Sequence, residues 1–250
     1  MTAPTVRAVA SLLAVALTAG CMNYYEIPIE TPIRPRLDVS MFQRVLVAGF
    51  IGGGSSDVDA NVETTRLLRS QLRTKSELRV IDADTLPLMD VAAGREDGSS
   101  PDGEPVAIKD EKDLEPFEQL FANVEYWKKI GEEFQQPLIV TGTVMFTPQE
   151  SSQRVVRQRE VYDQLGRRQV TSEPVFMERK GFVLRPRFIF IDGRDGTVIH
   201  NLTFREEILH PANNETPALS SYFELMDRLI PSFLGTLSSQ KVKGTRFLIQ

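Results

Sequence analysis

The chain has 250 residues, 29 Lys and Arg against 34 Asp and Glu, a formal charge of −5 and 41% hydrophobic residues. That length is enough for a domain with its own core, and the mild acidity argues against a general nucleic-acid-binding protein, which shows as a basic domain. A single cysteine excludes a disulfide framework and a cysteine-rich zinc site, so stability is expected from packing.

Arg7 supplies a small positive region, and Ala8 to Leu17 is an uncharged apolar run. This is the layout of a signal peptide. The run is shorter than the roughly 20 residues that a membrane-spanning helix needs, and it ends in Leu17-Thr18-Ala19-Gly20 followed by Cys21. Thr18, Ala19, Gly20 and Cys21 resemble the bacterial lipobox, in which the cysteine sulfur takes a diacylglycerol, the chain is cut before it and the new amine is acylated. Thr18 departs from the usual Leu. The resemblance implies a mature chain of 230 residues with a charge of −6, held to a membrane through Cys21. Several acyl chains anchor durably, at about 0.8 kcal/mol per buried CH₂. By the same resemblance, Met22 in place of Asp directs the protein to the outer membrane, facing the periplasm.

Residues 21–41 form an expected tether, in which Pro28, Pro32 and Pro35 prevent helix and keep the chain extended. Tyr24 and Tyr25 lie beside the anchor, where they suit either the lipid interface or packing on the domain. Arg44 to Phe50 reads as a buried strand. The glycine run Gly52-Gly53-Gly54 then predicts a turn into a helix carrying Val58, Val62, Thr65, Leu68 and Leu72 at helical spacing, with Ser56 and Asp59 as a capping pair. A glycine-rich turn before a helix can bind phosphate. This one lacks the Gly-Lys-Ser/Thr ending and carries Asp57 and Asp59, so a plain turn is the expectation. Glu77 to Asp82 reads as a second strand, parallel to the first.

Residues 90–115 hold nine acidic and three basic residues among glycines and prolines, the composition of an acidic loop. Phe117, Leu120, Phe121, Val124, Trp127 and Phe134 then fit one helical face entered near Pro116, with Trp127 as a packing anchor. Leu138 to Phe146 is a further buried strand. This order of elements, with Leu138-Ile-Val-Thr-Gly-Thr-Val144, resembles the periplasmic domain shared by the curli-secretion lipoprotein CsgG, the penicillin-binding-protein activator LpoB and the amino-terminal domain of TolB. The resemblance covers most of residues 42–237. It implies either an assembly or regulatory module of an envelope machine or a secretion-channel subunit.

Antiparallel strands are expected next. Gln153–Tyr162 and Arg168–Phe176 flank a turn at 163–167, and Gly181–Asp192 pairs with Thr197–Leu209 through Asp192-Gly-Arg-Asp-Gly196. That turn lacks the further ligands and the closing Glu of a calcium loop. The last helix carries Leu219, Tyr222, Met226, Leu229, Phe233 and Leu237 at helical spacing, with Pro231 as an expected kink, and Val242 to Ile249 adds a short strand. The fold class is therefore α/β, a single domain at 42–250 with a mixed sheet, a β-α-β-α-β start and antiparallel hairpins after it.

His200 and His210 are the only histidines and neither sits in a nucleophile or metal motif. No catalytic residue, metal or cofactor is expected, and an enzyme or small-ligand binder is the third reading after the module and the channel. Charge is polarised instead: residues 154–187 carry nine basic and four acidic side chains, opposite in sign to 90–115. Complementary patches steer association. Arg154, Arg157, Arg159, Arg167 and Arg168 are the candidate partner-binding residues, toward a second envelope protein or a second copy. Membrane-spanning strands alternate apolar-out with polar-in, whereas Val155 and Val161 share a face with Arg157 and Arg159, which disfavours the channel.

Overall fold

The computed structural model describes residues 24–92, 108–162, 164–214 and 216–249. The expected signal peptide, Thr18, Ala19, Gly20, Cys21 and residues 93–107 of the acidic loop lie outside them. The chain divides into two compact units, residues 36–238 and a smaller unit of the flanking segments.

The larger unit is a mixed α/β fold. Its strands are β2 (Arg44–Gly54), β3 (Arg79–Val80), β4 (Leu138–Tyr162), β5 (Arg168–Asp192), β6 (Val198–Thr203) and β7 (Glu206–Pro211). The sheet order is β3-β2-β4-β5-β6, and β7 also pairs with β5. β2 runs parallel to β3 and β4, as expected of its opening β-α-β unit, and the remaining pairs are antiparallel. Strand β3 is shorter than expected, because only Arg79 and Val80 pair with β2.

Both faces of the sheet are covered, which is why its central strands read as continuous apolar runs and not as an alternation. Against one face, Val47, Phe50, Val140, Phe146, Phe188 and Phe190 pack with Leu68 and Leu72 of α1 (Ala60–Lys75) and with Tyr222, Leu225, Leu229 and Phe233 of α5 (Ala218–Leu237). Against the other, Leu46, Ile51, Ile139, Ile189 and Ile191 meet Leu88 of α2 (Leu88–Ala92), Leu114 and Phe117 of a 3-10 helix (Glu111–Phe117), Leu120 and Phe121 of α3 (Glu118–Phe121), and Trp127 and Ile130 of α4 (Val124–Glu133). Phe188 lies within 5.8 Å of Phe50 and 4.8 Å of Phe233, centroid to centroid. A buried polar contact ties α1 to α5, where the Thr64 and Tyr222 hydroxyls meet beside the Ala60 carbonyl. Burial pushes the Tyr222 phenol well above its ordinary pKa. Pro231 lies inside α5, and Leu219 at its start is exposed although it shares the apolar spacing.

Several expected boundaries move. The glycine run belongs to strand β2, with Gly52, Gly53 and Gly54 opposite Val144, Met145 and Phe146. A Cβ on Gly53 would come within 2.6 Å of Ile108, and Gly54 N–H donates to the Ile108 carbonyl at 2.9 Å. The glycines thus serve close approach of the 108 segment. Helix α1 starts from Asp59, whose carboxylate accepts the Val62 N–H at 3.0 Å, so the capping box with Ser56 does not form. The aromatic stretch at 117–134 is not one helix. It breaks at Ala122, Asn123 restarts it by accepting the Tyr126 N–H, and Val124 is left exposed. Trp127 is fully buried and its indole donates to the Leu120 carbonyl across that break at 2.9 Å.

Gly142, in the motif strand, has φ +140°, and a Cβ there would sit 1.8 Å from the Arg187 carbonyl oxygen. It pairs with Phe50, next to a register shift in β2 between Val47 and Gly49, which stand opposite Val140 and Thr141. Thr141 Oγ1 donates to the Gly49 carbonyl, which ties this irregular point to β4, and the Phe50 N–H donates to Asn61 Oδ1, which ties it to α1.

The smaller unit is a two-stranded antiparallel ribbon of β1 (Tyr24–Ile33) and β8 (Gln240–Ile249). The extended tether is therefore a paired strand over residues 24–33, and the expected final strand pairs with it and not with the main sheet.

Candidate functional site

Strands β4 and β5 are each 25 residues long. The four separate strands expected between 138 and 192 are thus two, paired in one unbroken register from Leu138↔Asp192 to Tyr162↔Arg168. Their inner ends lie in the core and their outer ends do not. Strand β7 flanks β5 only from Arg179 to Leu184. Beyond it, among the described residues, no third strand flanks 151–162 or 168–178. The projecting arm from the Glu150↔Lys180 pair to the Tyr162↔Arg168 pair spans about 40 Å at roughly 3.3 Å per residue.

Both faces of the arm mix apolar and charged side chains. On one, Gln153 stands opposite Met177, Val155 opposite Val175, Arg157 opposite Glu173, Arg159 opposite Thr171 and Val161 opposite Gln169. On the other, Arg154 stands opposite Phe176, Val156 opposite Pro174, Glu160 opposite Val170 and Tyr162 opposite Arg168. Val156, Tyr162 and Phe176 are 65%, 66% and 71% exposed, and Leu165 in the turn is 77% exposed. Glu160 pairs with Arg168 at 2.6 Å, and Glu150 with Lys180 at 2.9 Å, which holds the Lys180 ammonium above its ordinary pKa. Exposed ion pairs of this kind add little stability. Arg154, Arg157, Arg159, Arg167 and Arg168 all lie on the outer part of the arm or its turn and all are exposed.

At the base of the arm the sheet forms one wall of an open groove of about 1160 Å³, contributed by Thr143, Met145, Arg185, Arg187, Asn201, Thr203 and Arg205. The facing wall comes from the end of the acidic segment, with Asp110, Glu111, Glu115 and Glu118. Residues 108–117 are ordered here, with Ile108 buried and the Asp113 carboxylate accepting the Asp110 and Lys109 N–H groups, which hold it below its ordinary pKa. Glu118 pairs with Arg187, and Glu207 pairs with Arg205 at 2.9 Å. Glu118, just past the acidic segment, thus meets Arg187 of the basic stretch within one chain, a contact that local pattern does not reveal because the two residues are far apart in sequence.

The Asp192–Gly196 turn is tight. Asp192 accepts the Arg194 N–H and pairs with its guanidinium at 2.5 Å, so its carboxylate is held below its ordinary pKa. The Asp195 carboxylate accepts the Thr197 N–H and hydroxyl, and Gly196 sits at φ +78°. His200 packs beside Phe190, and the Nε2 atoms of His200 and His210 are buried without a hydrogen-bond partner. Neither histidine lines the groove, and among the described residues no group of three His, Cys, Asp or Glu could hold a metal ion. No described helix is long and apolar enough to cross a membrane.

No protein-family model matches the chain, and no curated protein matches it. Among solved structures it is similar to lipoprotein GNA1162 from Neisseria meningitidis, at TM-score 0.35 and 12% identity over 76% of this chain and 96% of that one. It is also similar to a neuraminyllactose-binding hemagglutinin homolog from Helicobacter pylori, at 0.36 and 13% over 85% and 89%. The hypothetical protein CT253 from Chlamydia trachomatis matches at 0.34 and 10% over 78% and 98%. At these scores the likenesses carry no functional inference.

Proposed function

We propose that the protein is a cell-envelope lipoprotein, anchored through Cys21 in the outer membrane and facing the periplasm, whose α/β body is a non-catalytic platform for an arm that docks a protein partner. The observation that supports this is the arm itself: large apolar side chains stay in water beside arginines along about 40 Å of unflanked ribbon. A two-stranded ribbon is marginal by itself in water, and exposed apolar patches mark interaction sites. Val156, Tyr162, Leu165 and Phe176 supply the apolar contacts, while Arg154, Arg157, Arg159, Arg167 and Arg168 supply the steering charge.

The resemblance to the CsgG, LpoB and TolB group rests on element order and the Leu138–Val144 strand, and the assembly role it implies is the reading the arm favours. A spanning hairpin is disfavoured because Arg157, Arg159 and Glu173 share one face of the arm with Val155 and Val161, and Arg154, Glu160 and Arg168 share the other with Val156 and Phe176.

The deciding experiment replaces residues 151–179 by a two-residue Asn-Gly turn and compares crosslinks in native envelopes, using a photoreactive residue at Phe176 in the full-length chain as the reference. The shortened protein should melt like the parent and lose the crosslinked partner band in copurification. An unchanged set of copurified envelope proteins would overturn the reading. A Cys21→Ala chain should fold normally and leave the membrane fraction.

A further inference from the structure

We infer that the β1–β8 ribbon is itself a membrane-contacting element, lying along the lipid surface with one face in the headgroup region; this rests on the reading of Cys21 as lipidated. The antiparallel register separates the ribbon into two sets of positions. One set holds Ile27, Ile29, Thr31 and Ile33 on β1, with Arg246 opposite Ile27 and Gly244 opposite Ile29. The other holds Glu26, Pro28, Glu30 and Pro32, with Thr245 opposite Pro28 and Lys243 opposite Glu30. Successive residues of a strand point to opposite faces, so Ile27, Ile29 and Ile33 lie on one face and Glu26, Glu30 and Lys243 on the other, the last two 3.9 Å apart.

The apolar face is in water in this structure, with Ile27 41% and Ile33 51% exposed. A two-stranded ribbon needs such a face covered. Three features favour lipid as the cover. Cys21 precedes Tyr24 by three residues, so an acylated Cys21 holds that end of the ribbon within about 11 Å of the bilayer. Arg246, the one charged residue in the apolar set, is exposed, and its long stem can lie on the membrane while its guanidinium meets lipid phosphate. Pro28 and Pro32 have no N–H and are residues of sheet edges, which disfavours covering the ribbon by adding a strand from a second copy.

The full-length lipidated protein, reconstituted on vesicles of phosphatidylethanolamine and phosphatidylglycerol, tests this. Cys21 carries the lipid, so single cysteines introduced as Ile27→Cys, Ile33→Cys, Glu30→Cys or Thr245→Cys can each take an environment-sensitive fluorophore. Labels at 27 and 33 should shift to the blue and be quenched several-fold more by lipids with a shallow nitroxide than labels at 30 and 245. Equal, water-like emission from all four on vesicle-bound protein would overturn the inference while leaving the anchor intact. Failure of the lipidated protein to sediment with vesicles would remove the anchor reading and this one with it. Quenching of 27 and 33 by deep nitroxides with 30 and 245 still open to aqueous quencher would show a spanning ribbon. Blue shifts that need no vesicles and rise with protein concentration would show a second copy as the cover. Either result overturns the surface-lying ribbon.

Discussion

The inner and outer halves of the β4–β5 hairpin share one register and one pair of strands, yet live in opposite environments. The inner half, Leu138–Phe146 with Val183–Asp192, is largely buried and mostly apolar, apart from the buried Thr141, Asp192 at its end, and Thr143, Arg185 and Arg187 at the groove. The outer half is exposed on both faces and alternates Val, Phe and Tyr with Arg, Gln and Glu. The same backbone pairing therefore supports a core in one place and a surface in the other. Side chains decide the difference: helices cover the inner half because it offers apolar area on both sides, and the arginines of the outer half would be costly to bury unpaired.

Substitutions along this hairpin sharpen the contrast. Phe188→Ala removes a ring enclosed by Phe50, Phe204 and Phe233 and should cost about 4 kcal/mol, read as a drop of roughly 10 °C in the thermal midpoint. Gly142→Ala places a methyl group against the Arg187 carbonyl at a positive φ and should cost about 3 kcal/mol by chemical denaturation; a neutral result would mean that β4 and β5 separate easily there. Tyr222→Phe, which leaves the packing and removes the hydroxyl at Thr64 and Ala60, should cost about 1 kcal/mol.

Asp192→Asn should have a smaller effect that depends on pH. The Asp192 pKa is depressed by Arg194, so its contribution is present above the ordinary aspartate value near 4 and is lost as pH falls through the depressed value. Melting curves of parent and variant should converge on acidification; a gap that widens would overturn the assignment of that turn. At the bottom of the scale, Phe176→Ser on the arm should change stability by less than about 0.5 kcal/mol while weakening partner capture. A loss of several kcal/mol would mean that the outer half is packed in water and erase the contrast with the inner half.

The sequence was most informative where the local pattern and the tertiary environment agree. Runs such as Val45–Phe50 and Leu138–Phe146 are apolar because both sheet faces are covered, and the α1 and α5 stripes are apolar at helical spacing because each packs one side. It was less informative where a residue type has two uses. Glycines 52–54 look like a turn, but they lie in a strand that the 108 segment must approach closely. Asn123 looks like an ordinary polar residue, but its carbonyl oxygen restarts a helix. The arginines of the candidate site were legible as charge, while the arm that carries them was not, because strands expected to end at Phe146 and to begin at Gly181 run on through both positions.

By itself, the sequence determined the α/β class, the parallel opening unit, the exposed arginine-rich stretch and the lipobox-like run ending at Cys21, since each is written in local periodicity, composition or a short contiguous motif. Tertiary structure alone decided that β4 and β5 project as one arm, that Glu118 meets Arg187, and that residues 24–33 and 240–249 pair as a ribbon. The last two depend on contacts between segments distant in the chain, and a period of two along one strand does not say which strand will lie beside it; the first depends on β4 and β5 running without a break through Pro148 and Gly181.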